Sequence, residues 1–379
     1  MNFDFSEEQI MIRQAARDFA KKLESDVIER DCKAEYPTQH VKELSDLGFM
    51  GISVDPKYGG GGMDTISYLL AMEEISKIDS SVGVIMSVHN SLVMSGVEKY
   101  ASDYLKDKYL PVMVTGEKIG AFLLSEPEAG SDATSQKTSA LDMGDHYLLN
   151  GTKNWITSAG TASVYIVFGQ TYPEKRHRGI NVFIVDRETP GLSLGQHEDK
   201  MGMRSSDTHS VMFTDVKVPK ENRIGEDGFG FKFAMKALEE GRVGIAAQAV
   251  GIAQGAFERA VRYAKERKAF GKPIAEHQAI AFKLADMAVK IENARNLYLK
   301  AGWLKQNKKP YAQYSAMAKL YAADIAMEVT TEAVQILGGY GYVREYHVER
   351  LMREAKLTQI YEGTSEIQKI IISRQILAD

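Results

Sequence analysis

Tyr147-Leu148-Leu149-Asn150-Gly151-Thr152-Lys153-Asn154-Trp155-Ile156 reads as two apolar runs parted by Asn-Gly, the dipeptide that suits the positive φ angles of a tight β-hairpin. Runs rich in Val, Ile and Phe follow at 163–169, 180–186 and 210–218. The middle third therefore predicts a small β-domain between two regions of different character. Towards the N-terminus, Ser6 and Gln9 have capping-box spacing, with Phe5 placed for a hydrophobic staple. Ile10, Ala16, Phe19, Ala20, Leu23 and Val27 follow at helical spacing. Helical patterns recur at 38–48, 64–78, 81–100 and 102–116, broken by the loop Tyr58-Gly59-Gly60-Gly61-Gly62. Towards the C-terminus the pattern is helical again from Phe231. Breaks at Phe270-Gly271-Lys272-Pro273, Lys308-Lys309-Pro310 and Gly338-Gly339-Tyr340-Gly341 delimit four long helices, the arithmetic of a bundle.

Composition narrows the function classes. A chain of 379 residues, 44% hydrophobic and 26% charged, has the length for two or three domains. A formal net charge of -4 gives no electrostatic footprint for nucleic acid or an anionic membrane. The single cysteine, Cys32, excludes an internal disulfide and points to a reducing compartment. The eight histidines are scattered without zinc-ligand spacing, so no metal site is expected. The start of the chain, Met1-Asn2-Phe3-Asp4-Phe5-Ser6-Glu7-Glu8, is acidic where targeting peptides are basic, and no apolar run approaches the ~18 residues of a membrane span. A bacterial cytoplasmic protein without membrane insertion is the expectation. Complete G-x-G-x-x-G, G-x-x-x-x-G-K-[ST] and G-x-S-x-G motifs are all missing, which removes the fingerprints of Rossmann, P-loop and serine-hydrolase chemistry.

Three stretches carry positive signals. Phe122-Leu123-Leu124-Ser125-Glu126-Pro127-Glu128-Ala129-Gly130-Ser131-Asp132 is an apolar strand ending in polar turns, where backbone N–H groups can grip a planar heterocycle. Gln335-Ile336-Leu337-Gly338-Gly339-Tyr340-Gly341 reads equally as a glycine-capped helix end or a ligand turn. In Tyr361-Glu362-Gly363-Thr364-Ser365-Glu366-Ile367, a carboxylate precedes a glycine and follows the apolar Leu357, Ile360 and Tyr361. A dry setting there would raise the carboxyl from about 4.3 towards roughly 6–7, which suits a general base at neutral pH. Taken alone, Gly363 is a helix cap and Glu362 a surface charge. Trp155 alone is a packing residue, Arg242 a helix-surface charge, and Glu239 and Glu240 are solvated.

These stretches, with Trp155-Ile156-Thr157 and Arg267-Lys268-Ala269-Phe270-Gly271, occur in the order and spacing of the acyl-CoA dehydrogenases, which the chain resembles over essentially its whole length. Leu124-Ser125-Glu126-Pro127 and Gly241-Arg242-Val243-Gly244-Ile245-Ala246 look most like the short-chain (butyryl-CoA) members. The resemblance implies an α+β multidomain fold: an N-terminal α-helical domain (1–119), a central β-barrel (120–230) and a C-terminal four-helix bundle (231–379). It also implies FAD, a short-chain acyl-CoA substrate, an electron-transfer flavoprotein as oxidant, and a homotetramer built as a dimer of dimers.

By the same resemblance, Phe122, Leu124, Ser125, Trp155, Ile156 and Thr157 surround the isoalloxazine. Arg267, Phe270 and Gln278, with Gln335, Ile336, Leu337, Gly338 and Gly339 from another subunit, hold the diphosphate and adenosine. Thr364, Ser365 and Glu366 complete the ADP contacts. Ser131, placed with both cofactor and substrate, Glu239, Arg242 and Gly363 contact the substrate. Glu362 is the base that takes the α-proton, and its backbone N–H is one of the donors to the thioester oxygen. Glu354 stands where many members have Asp, Ser158 where Asn is common, and Glu239 where short-chain relatives often have Asp.

Two absences discriminate within the family. In the isovaleryl and long-chain branches the base is the residue before the arginine matching Arg242, and here that residue is Gly241. The glutaryl branch has an arginine near Val84-Ile85-Met86-Ser87-Val88, which carries no positive charge here. A dehydrogenase of 2-methyl-branched or cyclic acyl-CoA, and an acyl-CoA oxidase of the same fold, are the alternatives.

Overall fold

The computed structural model describes residues 4–378. Seven α-helices come first: α1 (Glu7–Leu23), α2 (Val27–Lys33), α3 (Thr38–Asp46), α4 (Thr65–Ser76), α5 (Ser80–Ser87), α6 (Ser95–Tyr100) and α7 (Asp103–Val114). The capping box forms: Ser6 Oγ accepts from the Gln9 N–H at 3.2 Å and Gln9 Oε1 from the Ser6 N–H at 3.0 Å. Phe5 packs against the core. Between α5 and α6 the π-helical turn Val88–Met94 keeps one helical run going from Ser80 to Tyr100. That run is long and apolar enough to cross a membrane, contrary to the expectation from sequence. It is 94% buried within the fold, so it is a core helix.

The middle of the chain forms β1 (Gly120–Leu123), β2 (Ser139–Asp142), β3 (His146–Thr157), β4 (Val164–Gln170), β5 (Ile180–Asp186), β6 (Leu192–His197) and β7 (Thr208–Pro219). They make one curled seven-stranded sheet in the order β1-β4-β2-β3-β7-β6, with β5 on β4. β4 is buried at every position and pairs parallel with β1 and antiparallel with β5.

Asn150-Gly151 is not the expected hairpin turn. It lies inside the continuous strand β3, at a register shift against β7 between Leu149 and Gly151. Asn150 locks the bulge, its Nδ2 donating to Asp215 Oδ1 at 3.1 Å and its Oδ1 accepting from the Asp215 N–H at 2.9 Å. Gly151 has φ +147°, and a Cβ there would come within 2.7 Å of Thr138 Cα. The permissive backbone that suits Asn-Gly to a turn serves here to kink a strand. The turn joining β2 to β3 is Met143-Gly144-Asp145, with Gly144 at φ +98° and its N–H on Asp142 Oδ1 at 2.9 Å.

The C-terminal helices are α8 (Gly230–Glu266), α9 (Gln278–Gln306), α10 (Ala312–Leu337), α11 (Val348–Thr358) and α12 (Ser365–Ile376). The fourth arm of the expected bundle is thus two helices, α11 and α12, interrupted at 359–364. Glu362 and Gly363 in that gap have φ +52° and +97°, so no α-helix can run through them. α8 is the central member, packing on α4, α9, α10 and α11, with Gly241, Gly244, Gly251 and Gly255 set against other elements.

Candidate active site

The break between α11 and α12 holds Glu362 against α8. Both Glu362 carboxylate oxygens are buried and, among the described residues, accept no hydrogen bond. Burial raises the carboxyl to about 7, offset in part by the charges of Arg242 and Lys319. Of the apolar residues that the sequence indicates, Ile360 is half exposed, while Leu357 and Tyr361 pack against the core. Gly241 on α8 and Leu92 in the π-turn add to it: a Cβ on Gly241 would overlap Glu362 Oε2 and lie 2.8 Å from Leu92 Cδ2.

The cations near Glu362 are attached to its backbone rather than its carboxylate. Arg242 Nε donates to Glu362 O at 3.1 Å, Lys319 Nζ to Gly363 O at 2.7 Å, and Gln368 Nε2 to Gly363 O at 2.8 Å. Arg242 is only 5% exposed and is no surface charge. Gln248, also buried, accepts from the Tyr361 hydroxyl and donates to Ser80 O at 2.8 Å. Glu240 is buried too, against expectation. Lys99 and Lys305 hold it down to about 2 despite its burial, which makes it a structural anion. Glu239 pairs with Lys236 at 2.9 Å.

A second group of predicted residues gathers at the ends of β1 and β3. Asn154 N–H donates to Ser125 O at 2.9 Å. Lys153, fully buried, donates to Leu124 O at 3.2 Å, Glu126 Oε1 at 2.8 Å and Gln136 Oε1 at 3.0 Å. These bonds bring Phe122, Leu124 and Ser125 beside Trp155 and Thr157. A second register shift in β3, between Lys153 and Ile156, turns Trp155 outwards at φ +60° and 61% exposed. Ile156 points inward at 2% exposure, so only its backbone can meet a ligand. Ser131 is exposed in the loop following β1.

The third group lines a cleft of ≈ 960 Å³ walled by Arg267, Ile336, Leu337, Gly338, Gly339 and Tyr340. The resemblance divides these between two subunits, yet one chain brings Arg267 and the glycine turn to the same cleft. Gly338 has φ +60°, and among the described residues no atom beyond the adjoining ones stands within 4 Å of where a Cβ on Gly338 or Gly339 would be. Ile336 and Leu337 point into the core at 5% and 3% exposure, leaving their backbone to the cleft. Phe270 is 95% exposed at φ +53°, and Gln278 and Gln335 are exposed as well. Thr364 caps α12, its Oγ1 accepting from the Ile367 N–H at 3.4 Å, with Ser365 buried and Glu366 exposed in the first turn.

The three-part fold thus combines a buried carboxylate on the C-terminal helices with outward-facing aromatics on the sheet. The N-terminal, middle and C-terminal domain families of acyl-CoA dehydrogenase match residues 6–117, 121–216 and 228–377. The short-chain specific acyl-CoA dehydrogenase of Clostridium acetobutylicum is 48% identical over 377 residues, covering 99% of this chain and 100% of that protein. The mouse mitochondrial short-chain specific enzyme is 48% identical over 368 residues, covering 97% and 89%. Butyryl-CoA dehydrogenase from Megasphaera elsdenii superposes with a TM-score of 0.98 at 48% identity, over 100% of both chains. A chain from a structure described as the electron transferring flavoprotein of Acidaminococcus fermentans gives 0.99 at 46%, again over 100% of both. The chain belongs to the acyl-CoA dehydrogenase family.

Acyl-CoA dehydrogenases are FAD flavoproteins. The residues present fit that cofactor: Trp155 and Phe270 are large aromatics exposed without packing partners sufficient to bury them, and the Gly338-Gly339 turn leaves room for a ligand at the backbone. Lys153, Gln248, Lys319 and Gln368 are buried residues bonded around these groups that sequence reasoning missed. No local signal distinguishes a buried lysine or glutamine from a surface one.

Proposed function

We propose that the protein dehydrogenates a short-chain acyl-CoA to the trans-2-enoyl-CoA, with Glu362 abstracting the α-proton. The observation that carries this reading is the Glu362 carboxylate, buried, without a hydrogen-bond partner and raised to about 7. A carboxylate tied to a cation would be too weak a base. One raised to near neutrality is matched to proton transfer at physiological pH. When bound, FAD supplies the acceptor for the β-hydrogen as hydride, so one catalytic side chain suffices. Phe122, Leu124, Ser125, Trp155 and Thr157, with the backbone of Ile156, would hold its ring system. Arg267, Phe270, Gln278, the turn Gln335–Gly339 and Thr364–Glu366 would hold its diphosphate and adenosine. The Glu362 N–H would donate to the thioester oxygen and stabilise the enolate. Ser131, Glu239 and Arg242 would contact the CoA arm, and Gly363 would sit beside the thioester.

The short-chain preference rests on what surrounds Glu362. Gly241 leaves the space that its carboxylate fills, so a base at 241 and a base at 362 compete for one place. Val84, Ile85, Met86, Ser87 and Val88 are all buried and uncharged, which disfavours a substrate with a distal carboxylate. Tyr68, Gln248 and Tyr361 are large side chains engaged with Ser87, Ser80 and each other in the same region. An electron-transfer flavoprotein as oxidant is supported by the Acidaminococcus structure and by the Etf-complex subunit CarC of Acetobacterium woodii, 46% identical. A homotetramer would cover exposed apolar residues such as Phe270 and Tyr342. A bacterial cytoplasmic location accords with the single cysteine.

The likeness to the prolyl acyl carrier protein oxidase AnaB, at 32% identity, supports the oxidase as a second reading. Turnover of acyl-CoA from four to sixteen carbons with an electron-transfer flavoprotein tests the proposal. Butyryl-CoA or a close neighbour is expected to be best, without stoichiometric peroxide. Higher kcat/KM for glutaryl-, isovaleryl- or palmitoyl-CoA would overturn the substrate assignment, and peroxide matching turnover would favour the oxidase.

A further inference from the structure

Lys319 lies on α10 with its side chain wholly buried, and the hydrogen bond recorded for its ammonium goes to Gly363 O at 2.7 Å. An ammonium is compact and strongly hydrated, and an apolar residue of similar length would fill the same space at far lower desolvation cost. The charged groups facing it are Glu362, Arg242, Asp324 on its own helix and Glu366 on α12. Asp324 is already engaged, its Oδ1 accepting from Gln359 Nε2 at 2.7 Å. Glu362 in turn faces Arg242 from α8 and Lys319 from α10, with the hydroxyls of Tyr68 and Tyr361 nearby.

We propose that Lys319 is a positioning residue for Glu362: it grips the Gly363 carbonyl, fixes the left-handed turn, and places a positive charge beside the carboxylate without pairing with it. The inference rests on the reading of Glu362 as the base. Its physical content is the separation of two jobs. Arg242, Lys319 and Gln368 spend their donors on the carbonyls of Glu362 and Gly363, so the turn is held from α8, α10 and α12 together. The carboxylate oxygens are left unbonded and basic, while the nearby charges keep them ionisable in a buried place. Burial pulls the Lys319 ammonium down to about 8, against the attraction of Glu362.

The test is the pH dependence of kcat for butyryl-CoA in full-length, FAD-loaded protein: wild type, Lys319→Met, Lys319→Gln, Lys319→Arg and Glu362→Gln. Removing a nearby opposite charge raises a carboxyl by roughly 1–3 units. The rising limb of kcat should therefore move to higher pH by that amount in Lys319→Met and Lys319→Gln, with KM and FAD content little changed. Lys319→Arg, which keeps the charge, should retain a limb close to wild type. Lys319→Gln, which keeps a donor to the carbonyl, decides the question if the Met variant does not fold. A limb that stays in place while kcat falls equally at all pH values would reduce Lys319 to a packing role and overturn the inference. Near-normal turnover in Glu362→Gln would instead overturn the underlying reading, whatever the lysine variants do.

Discussion

Glu362 combines three costs in one residue: a left-handed backbone, a buried carboxyl and no hydrogen-bond partner for either oxygen. The pH dependence of stability should expose the second. A carboxyl raised from 4.5 to about 7 binds its proton more tightly in the folded protein than in the unfolded chain. Its contribution is therefore intact below about pH 4.5 and is lost as pH rises through 7. Glu362→Gln has no such proton to lose. The variant should gain thermal stability over wild type between about pH 5 and pH 8, by up to ~3 kcal/mol. A gap that is constant across this range would mean that Glu362 titrates normally.

At Gly241, any side chain meets the same carboxylate. Gly241→Ala is expected to lower kcat sharply and to destabilise by roughly 1–3 kcal/mol, because the added methyl displaces the Glu362 carboxyl and crowds Leu92. Enzyme assay together with chemical denaturation checks it, and an unchanged kcat would place Glu362 elsewhere.

At the scale of elements, the ends of β1 and β3 depend on Lys153. Its ammonium, pulled down to about 8 by burial against the pull of Glu126, ties β3 to the chain following β1. Lys153→Met should cost about 3–5 kcal/mol, since Glu126 is left buried without its cation. Urea denaturation of the FAD-free protein measures it, and a loss below about 1 kcal/mol would show that Glu126 is satisfied by the Lys137 and Thr138 N–H groups alone.

The same elements mark where sequence reading works and where it stops. The capping box at Ser6, the strands around 164–186 and the helix breaks are local patterns, and each formed where its residues stand. Asn150-Gly151 carried an equally local signal with a wrong outcome, because a bulge and a turn both need a permissive backbone. Whether the strand continues depends on β7, more than sixty residues away. Lys153, Lys319 and Glu240 carried no warning at all: a charged residue is buried only when distant partners compensate it, and those partners come from other elements.

At the scale of the whole molecule, the surroundings of Glu362 come from distant parts of the chain: the helical N-terminal part supplies Leu92 and Tyr68, and the C-terminal helices supply Arg242 and Lys319. Such a protein should purify yellow with about one FAD per chain, and as a tetramer. Trp155 is 61% exposed, so Trp155→Ala should leave the thermal stability of the FAD-free protein within about 0.5 kcal/mol while weakening FAD retention. Equal FAD retention would remove Trp155 from the cofactor site.

The most direct measurement of the central claim is anaerobic mixing of the FAD-loaded protein with butyryl-CoA while the flavin absorbance is followed. Wild type should bleach rapidly. Glu362→Gln should keep its FAD and bleach at least ~10²–10⁴-fold more slowly, the amount a positioned general base contributes. Bleaching of the Gln variant at a rate near that of wild type would contradict the account.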